Sequence, residues 1–466
     1  MEILHCIAEG LVKADLVSLC LVSQRFRYAL LLRIYQQIEF QWEHDERAQS
    51  DAVQLSLVLL FRTVLSCPDL CLYVKSFKCY GTRPKLNWND YDARQKYIPP
   101  PMSPPIWPSS TASIQFPNSD QHAEAITIVD SLPLGSTEEA QRWREDFVRG
   151  ELELIIALLL LRLPKLESLH IGHDFFRTAF VDLALQCKAD NGDAQSLRSI
   201  CISADFRPRS ARGYHNFTCF LPLVAIHSLE SASLSLPAIS MGHMAATPPS
   251  YLTSLHLQCS SLSETVLGLL LAQTPFLEDL RYDRFVEARE MPDDKPSRFL
   301  ISHLSASLSH VRSSLRHLFV AYGSFSDDGD YTMLEWVDLA DQVLEPLLSF
   351  DKLETVHAPY MLIFGWDGNP NKFRRINSIL PPNVRSLTLN SDLTEFWSCE
   401  WEPEDLGYAL ELSVSFFANH RINGITSSVV VVEDCYVSHA LNKAKGLFEA
   451  AGIQFELERR IRNVHD

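Results

Sequence analysis

A six-residue phrase, apolar–x–x–apolar–x–apolar, returns along this chain of 466 residues. A phrase recurring every few tens of residues constrains the fold more than any other feature here, because each copy buries its apolar face only against its neighbours. The copies read LESLHI (166–171), LRSICI (197–202), LESASL (229–234), LTSLHL (252–257), LEDLRY (277–282), LRHLFV (315–320), LETVHA (353–358) and VRSLTL (384–389), with an earlier one, VKSFKC, at 74–79. From 166 onward their starts are 31, 32, 23, 25, 38, 38 and 31 residues apart, and 92 residues separate the copy at 74 from that at 166.

Each phrase ends in apolar/variable alternation, the period of a short strand with one buried face. Helical spacing fills the stretches between. SETVLGLLLAQ (263–273) opens at Ser263 with Glu264 in its first turn and stops before Pro275, which cannot continue a helix interior. DAVQLSLVLLFRTVLSCPDL (51–70) predicts a helix ending before Pro68, IYQQIEF (34–40) a first strand, 405–418 one helix, and 332–350 another that Pro346 kinks or ends. A helix over 441–451 and a Gly-led strand over 452–457 close the chain. The expected fold class is α/β: strand–helix units stacked into a solenoid. The phrase resembles that of leucine-rich repeats, without the usual Asn or Cys ladder, so the repeats are irregular.

The first 40 residues read as three short helical segments. Ile3, Leu4, Ile7 and Leu11 form an apolar stripe, Asp15 is a candidate cap for a helix through Val22, and Ser23 starts a third segment carrying Phe26, Ala29 and Leu30. Glu2-Ile3-Leu4, Ile7, Leu11, Asp15-Leu16, Leu19, Val22, Arg25 and Phe26 follow the type and order of the F-box motif, and the segment resembles that family. The family's leading Leu-Pro has no counterpart before Glu2, and Ser23-Gln24 stands where Cys-Arg is common. The resemblance implies a domain over 1–40 that docks a Skp-type adaptor and, through it, a cullin–RING ubiquitin ligase, with Ile3, Leu4, Ile7, Leu11, Leu16, Leu19 and Phe26 as adaptor contacts. It further implies that residues 41–466 form the repeat region that captures a protein substrate, and that the chain performs no covalent chemistry itself.

Charge and motifs narrow the remaining classes. With 41 Lys and Arg against 58 Asp and Glu the formal charge is −17, which repels a phosphate backbone, so no nucleic-acid partner is expected. The 11 cysteines are odd in number and scattered, the usage of a reducing compartment. The N-terminus lacks the basic region of a secretory signal, and the longest apolar run, 154–161, is far short of the roughly 20 residues a span needs. The expectation is a cytoplasmic or nuclear protein with no membrane partner. No nucleophile elbow, phosphate loop, dinucleotide fingerprint or zinc-spaced Cys/His pattern occurs, so neither metal nor cofactor is expected. The 97–117 stretch carries seven prolines and reads as a solvated insertion, extended here to about 97–125. SDDGD at 326–330 lacks the ligand order of a calcium loop and reads as a turn.

Strand phase then nominates a recognition surface. The variable residues of each phrase point away from the buried face, and along the row they change from small and polar to charged and aromatic. Asp279, Arg281, Asp283, His317, Phe319 and His357 are the candidate substrate contacts, since Arg and aromatic side chains anchor interfaces. The sequence thus points to a substrate receptor of a ubiquitin ligase. A leucine-rich-repeat scaffold without a ligase, its N-terminal helices serving as a cap, is the alternative.

Overall fold

The computed structural model describes residues 11–43, 47–82, 119–130, 132, 137–149, 151–172, 180–203, 226–234, 250–260, 262–287, 301–325, 347–365, 376–390, 403–421, 428–433 and 439–459. Ile3, Leu4, Ile7, the proline-rich stretch 97–117, the acidic segment 326–330 and nearly all of the helix expected at 332–350 lie outside them. The described residues up to Leu229 gather into one compact unit and those from Glu230 into a second. Both are α/β, with every paired strand parallel to its neighbours.

The first unit runs α1 (Lys13–Val22), α2 (Gln24–Gln36), β1 (Gln37–Glu43), α3 (Arg47–Ser66), β2 (Ser76–Thr82), α4 (Ser119–Asp130), α5 (Thr137–Arg149), α6 (Leu152–Leu161), β3 (Ser168–Gly172), α7 (Phe180–Asp190) and β4 (Ser199–Ser203). The second runs β5 (Ser231–Leu234), β6 (Ser254–Ser260), α8 (Glu264–Ala272), β7 (Asp279–Glu287), α9 (Ile301–Leu308), β8 (His317–Phe325), β9 (Thr355–Pro359), α10 (Tyr360–Phe364), β10 (Ser386–Asn390), α11 (Pro403–Glu411), α12 (Val414–Arg421), β11 (Ser428–Glu433), α13 (His439–Ala450) and β12 (Gln454–Arg459). Within each unit the strands lie side by side in chain order.

The recurring phrase sets this register. Its third residue aligns from copy to copy: Ser76 with Ser168 and Ser199 in the first unit, and Ser231, Ser254, Asp279, His317, Thr355 and Ser386 in the second. The same backbone bonds recur at the strand starts. The amides of Glu278 and Asp279 both donate to the Thr253 carbonyl (2.8 and 2.9 Å), and those of Arg316 and His317 both donate to that of Glu278 (2.7 and 2.9 Å). The three apolar positions of the phrase are buried in every copy, as in Leu252, Leu255 and Leu257 or Leu277, Leu280 and Tyr282. Each such aliphatic side chain contributes about 1.5–3 kcal/mol by leaving water. At the second phrase position, exposed charges link successive copies: Lys75 with Glu167 (2.7 Å), and Arg316 with both Glu278 (3.5 Å) and Glu354 (3.0 Å).

Helices cover the apolar side. The α6 segment LELIIALLLL is buried from Leu152 to Leu160, Glu153 included, and packs against α3 and α7, as a helix with apolar residues on every side does. Trp143 meets Phe180 edge-on at 4.6 Å beside it. Lys188 of α7 is buried and donates to the Leu163 carbonyl at 3.0 Å. In the second unit, Gly407 lets α11 touch α13: a Cβ there would lie 2.4–2.8 Å from Ala440 and the Leu441 amide. Gly452, at φ +69°, turns the chain from α13 into β12.

Several local expectations change. Asp15 lies in the first turn of α1, and the capping position belongs to Val12, whose backbone is extended. The 405–418 stretch forms two helices, not one. Leu412 and Ser413 form the turn between them, and the Ser413 hydroxyl donates to the Ala409 carbonyl at 2.8 Å. The first strand starts at Gln37 because α2 extends to Gln36. By contrast, α8 with its Ser263 cap (Val266 amide to Ser263 Oγ, 3.4 Å) and the helix–Gly–strand ending fall as expected.

Candidate functional site

At the N-terminal end, Ser23 separates α1 from α2 and caps the latter, accepting from the Arg25 amide at 3.2 Å. The two helices pack on a small core of Leu16 and Leu30, with Leu11, Leu19, Cys20, Phe26 and Ile34 half-buried against it. Leu16 is only 4% exposed, so this side chain, nominated as an adaptor contact, builds the pair's own interior instead. Leu11, Leu19 and Phe26 keep part of their surface outward. A second apolar set, of which only Val22 belongs to the motif, stands in solvent: Leu21 at 84%, Val22 at 74% and Tyr28 at 76% exposed, together with Val12, Val17 and Leu32. The signal for it was present in the sequence, since apolar residues occupy more of this segment than a two-helix core uses.

The nominated substrate row lies on the face of β7, β8 and β9 that no described helix covers. Arg281, Phe319 and His357 are direct cross-strand neighbours. The Arg281 guanidinium carbon sits 4.2 Å from the Phe319 ring centre, and the Phe319 ring lies 4.1 Å from that of His357 at 42°. Asn390 Nδ2 fixes His357 Nε2 from β10 at 3.0 Å. One step along the strands, His256 Nε2 contacts Asp279 Oδ2 at 3.1 Å, Ser254 Oγ donates to the same oxygen at 3.2 Å, and His317 Nδ1 lies 2.8 Å from Thr355 Oγ1. The bond from His256 is the main reason the Asp279 carboxyl is held below the usual range, against the opposing effect of partial burial. Asp283 is half-exposed on the same face of β7, two residues beyond Arg281. The structure therefore brings the nominated residues onto one face of adjacent strands, where His256 partners Asp279 and Asn390 partners His357, two residues that sequence reasoning did not place in the patch.

The first unit has a smaller strip of the same kind. Tyr80 stacks on His170 at 4.5 Å with rings 8° from parallel, and its hydroxyl donates to Glu39 at 2.8 Å. That bond raises the Tyr80 pKa, and burial lowers that of His170. These strips present a guanidinium, flat aromatic surfaces and imidazoles, the groups that hold a polypeptide surface. Among the described residues no group of three or more His, Cys, Asp or Glu is placed to hold a metal ion, and no helix is long and apolar enough to cross a membrane.

No family model, curated protein or solved structure matches this chain.

Proposed function

We propose that this protein is the substrate receptor of a cullin–RING ubiquitin ligase in the cytoplasm or nucleus, docking a Skp-type adaptor through its N-terminal helices and a protein substrate through the strand faces that no described helix covers. Parallel strands in chain order with helices on the other side support the leucine-rich-repeat-like solenoid that this reading requires. The observation that carries the docking half is the apolar surface left outside the satisfied Leu16–Leu30 core: Leu21, Val22 and Tyr28 above all. Contiguous exposed apolar side chains mark an interface, and two short helices present them in the form that packs against partner helices.

Co-expression with a Skp-type adaptor tests it, and a stable complex in gel filtration is the expected result. Leu21→Asp and Tyr28→Asp are expected to weaken that complex at least about tenfold, since each puts a charge or a polar group into a desolvated contact, while thermal unfolding stays near wild type. Leu16→Asp reports on folding of the helix pair and does not substitute for them. A wild-type chain that never captures the adaptor overturns the ligase reading and leaves the scaffold alternative.

A further inference from the structure

We propose that the β7–β9 strip docks an extended segment of a partner protein by clamping one carboxylate side chain, Asp or Glu, in the Arg281 guanidinium. This deepens the substrate half of the reading above and rests on it for the identity of the recognition face.

Each of the strip's three histidines already has a polar partner. His256 is engaged with Asp279, His317 with Thr355, and His357 with Asn390. Arg281 differs. Its guanidinium carbon sits over the Phe319 ring, 4.2 Å from the ring centre, and its Nε is shielded from solvent without a hydrogen-bond acceptor among the described residues. A guanidinium stays charged at any physiological pH and offers planar paired donors that match a carboxylate with two parallel N–H···O bonds. Its contact with Phe319 restricts the side chain before any ligand arrives, so less side-chain freedom is left to lose on binding.

The surrounding charge selects which anion fits. Arg281 stands between Asp279 and Asp283, which occupy the same face of β7 two residues to either side. A phosphate brings close to two negative charges to a position flanked by two carboxylates and is disfavoured there. A carboxylate brings one, in the geometry the fork prefers. The two aspartates in turn favour basic residues two places before and after the acidic one, because an extended segment turns alternate side chains to the same side. The complementary motif is basic–x–acidic–x–basic.

The test uses the full chain, without adaptor, on immobilised pools of nine-residue peptides whose central position is fixed as Glu, Gln or phosphoserine and whose other positions are randomised. The expected result is retention of the Glu pool over the Gln pool by about tenfold, the scale of one charge-assisted bidentate contact, with the phosphoserine pool below the Glu pool. Arg281→Gln is expected to bring Glu and Gln retention within about twofold of each other, and Arg281→Lys to fall between, since it keeps the charge but loses the fork. Equal retention of Glu and Gln by the wild-type chain overturns the proposal, as does a phosphoserine pool held more tightly than Glu. Glu selectivity that survives Arg281→Gln overturns it as well. Wild-type selectivity is read without any variant, so a misfolded variant does not leave the question open. Adaptor capture is scored in a separate assay, so either half can fail on its own.

Discussion

Arg284 occupies a position that strand alternation assigns to the core, and the core receives it. Its guanidinium is ion-paired with Glu264 in the first turn of α8, the Tyr322 hydroxyl donates to the same carboxylate at 3.5 Å, and the Tyr282 hydroxyl lies 3.3 Å from it. Tyr282 donates to the Leu262 carbonyl at 2.8 Å, and Ser307 Oγ to that of Glu264 at 2.6 Å, so the group ties α8, β7, β8 and α9 together. Removing one partner of such a pair strands the other charge away from water. Arg284→Met is therefore expected to destabilise the protein by about 3–5 kcal/mol, read as a lowered urea midpoint, while Glu264→Leu with Arg284→Met recovers most of the loss. This cluster was not legible in the sequence. The phrase LEDLRY stops at Tyr282, two residues short of Arg284, and an acidic residue in a first helical turn reads as a solvated end group. The same boundary separates what was readable at the recognition strip. Phase alone placed Arg281, Phe319 and His357 on one face, but that Arg281 sits over Phe319 while the histidines find partners depends on rotamers that no spacing encodes.

Among the elements, the phrase-bearing strands were the most legible, because a buried apolar triplet at fixed spacing has one way to lie against its neighbour. The strand β11 (SVVVVE) went unread: it has valines throughout and no leading leucine, so it lacks the phrase while still pairing in register with β10 and β12. The α11–α12 break spans only Leu412 and Ser413, below the resolution of apolar periodicity. Helix contact offers a sharper test. At Gly407 an added methyl meets the backbone of α13 rather than a side chain that can swing away. Gly407→Ala is expected to cost about 1–3 kcal/mol, as overpacking does, despite the better helix propensity of alanine, and to lower the thermal midpoint. An unchanged or raised midpoint shows that α11 and α13 slide apart without penalty.

For the molecule as a whole, the groups that titrate in alkali are balanced differently in the two units: both hold tyrosines raised above their usual pKa, Tyr80 in the first and Tyr282 and Tyr322 in the second, and the first also holds Lys188, which is lowered. Tyr282 and Tyr322, in the second unit, are held well above the usual tyrosine pKa of 10.0, chiefly by burial. The unfolded chain gives up those protons first, so their contribution is complete below pH 10.0 and is lost as pH rises past it. Lys188, in the first unit, is held below its usual 10.5 by burial. There the unfolded chain keeps the proton longer, so stability grows as pH climbs from the folded pKa toward 10.5. Pulse proteolysis in urea at about pH 8 and about pH 10.5, with fragments mapped to each unit, is expected to show the second unit losing more resistance than the first. An equal loss in both removes the tyrosines and Lys188 as the source of the difference. The copy-to-copy alignment has a consequence of another kind. Ser231 pairs with Ser254 across 23 residues of sequence and Ser76 pairs with Ser168 across 92, yet the match is the same. Nothing in the sheet measures the length of thread between two rungs. Foreign sequence spliced into those links leaves the ladder in step, which makes them the place where such a chain can acquire novelty without being rebuilt.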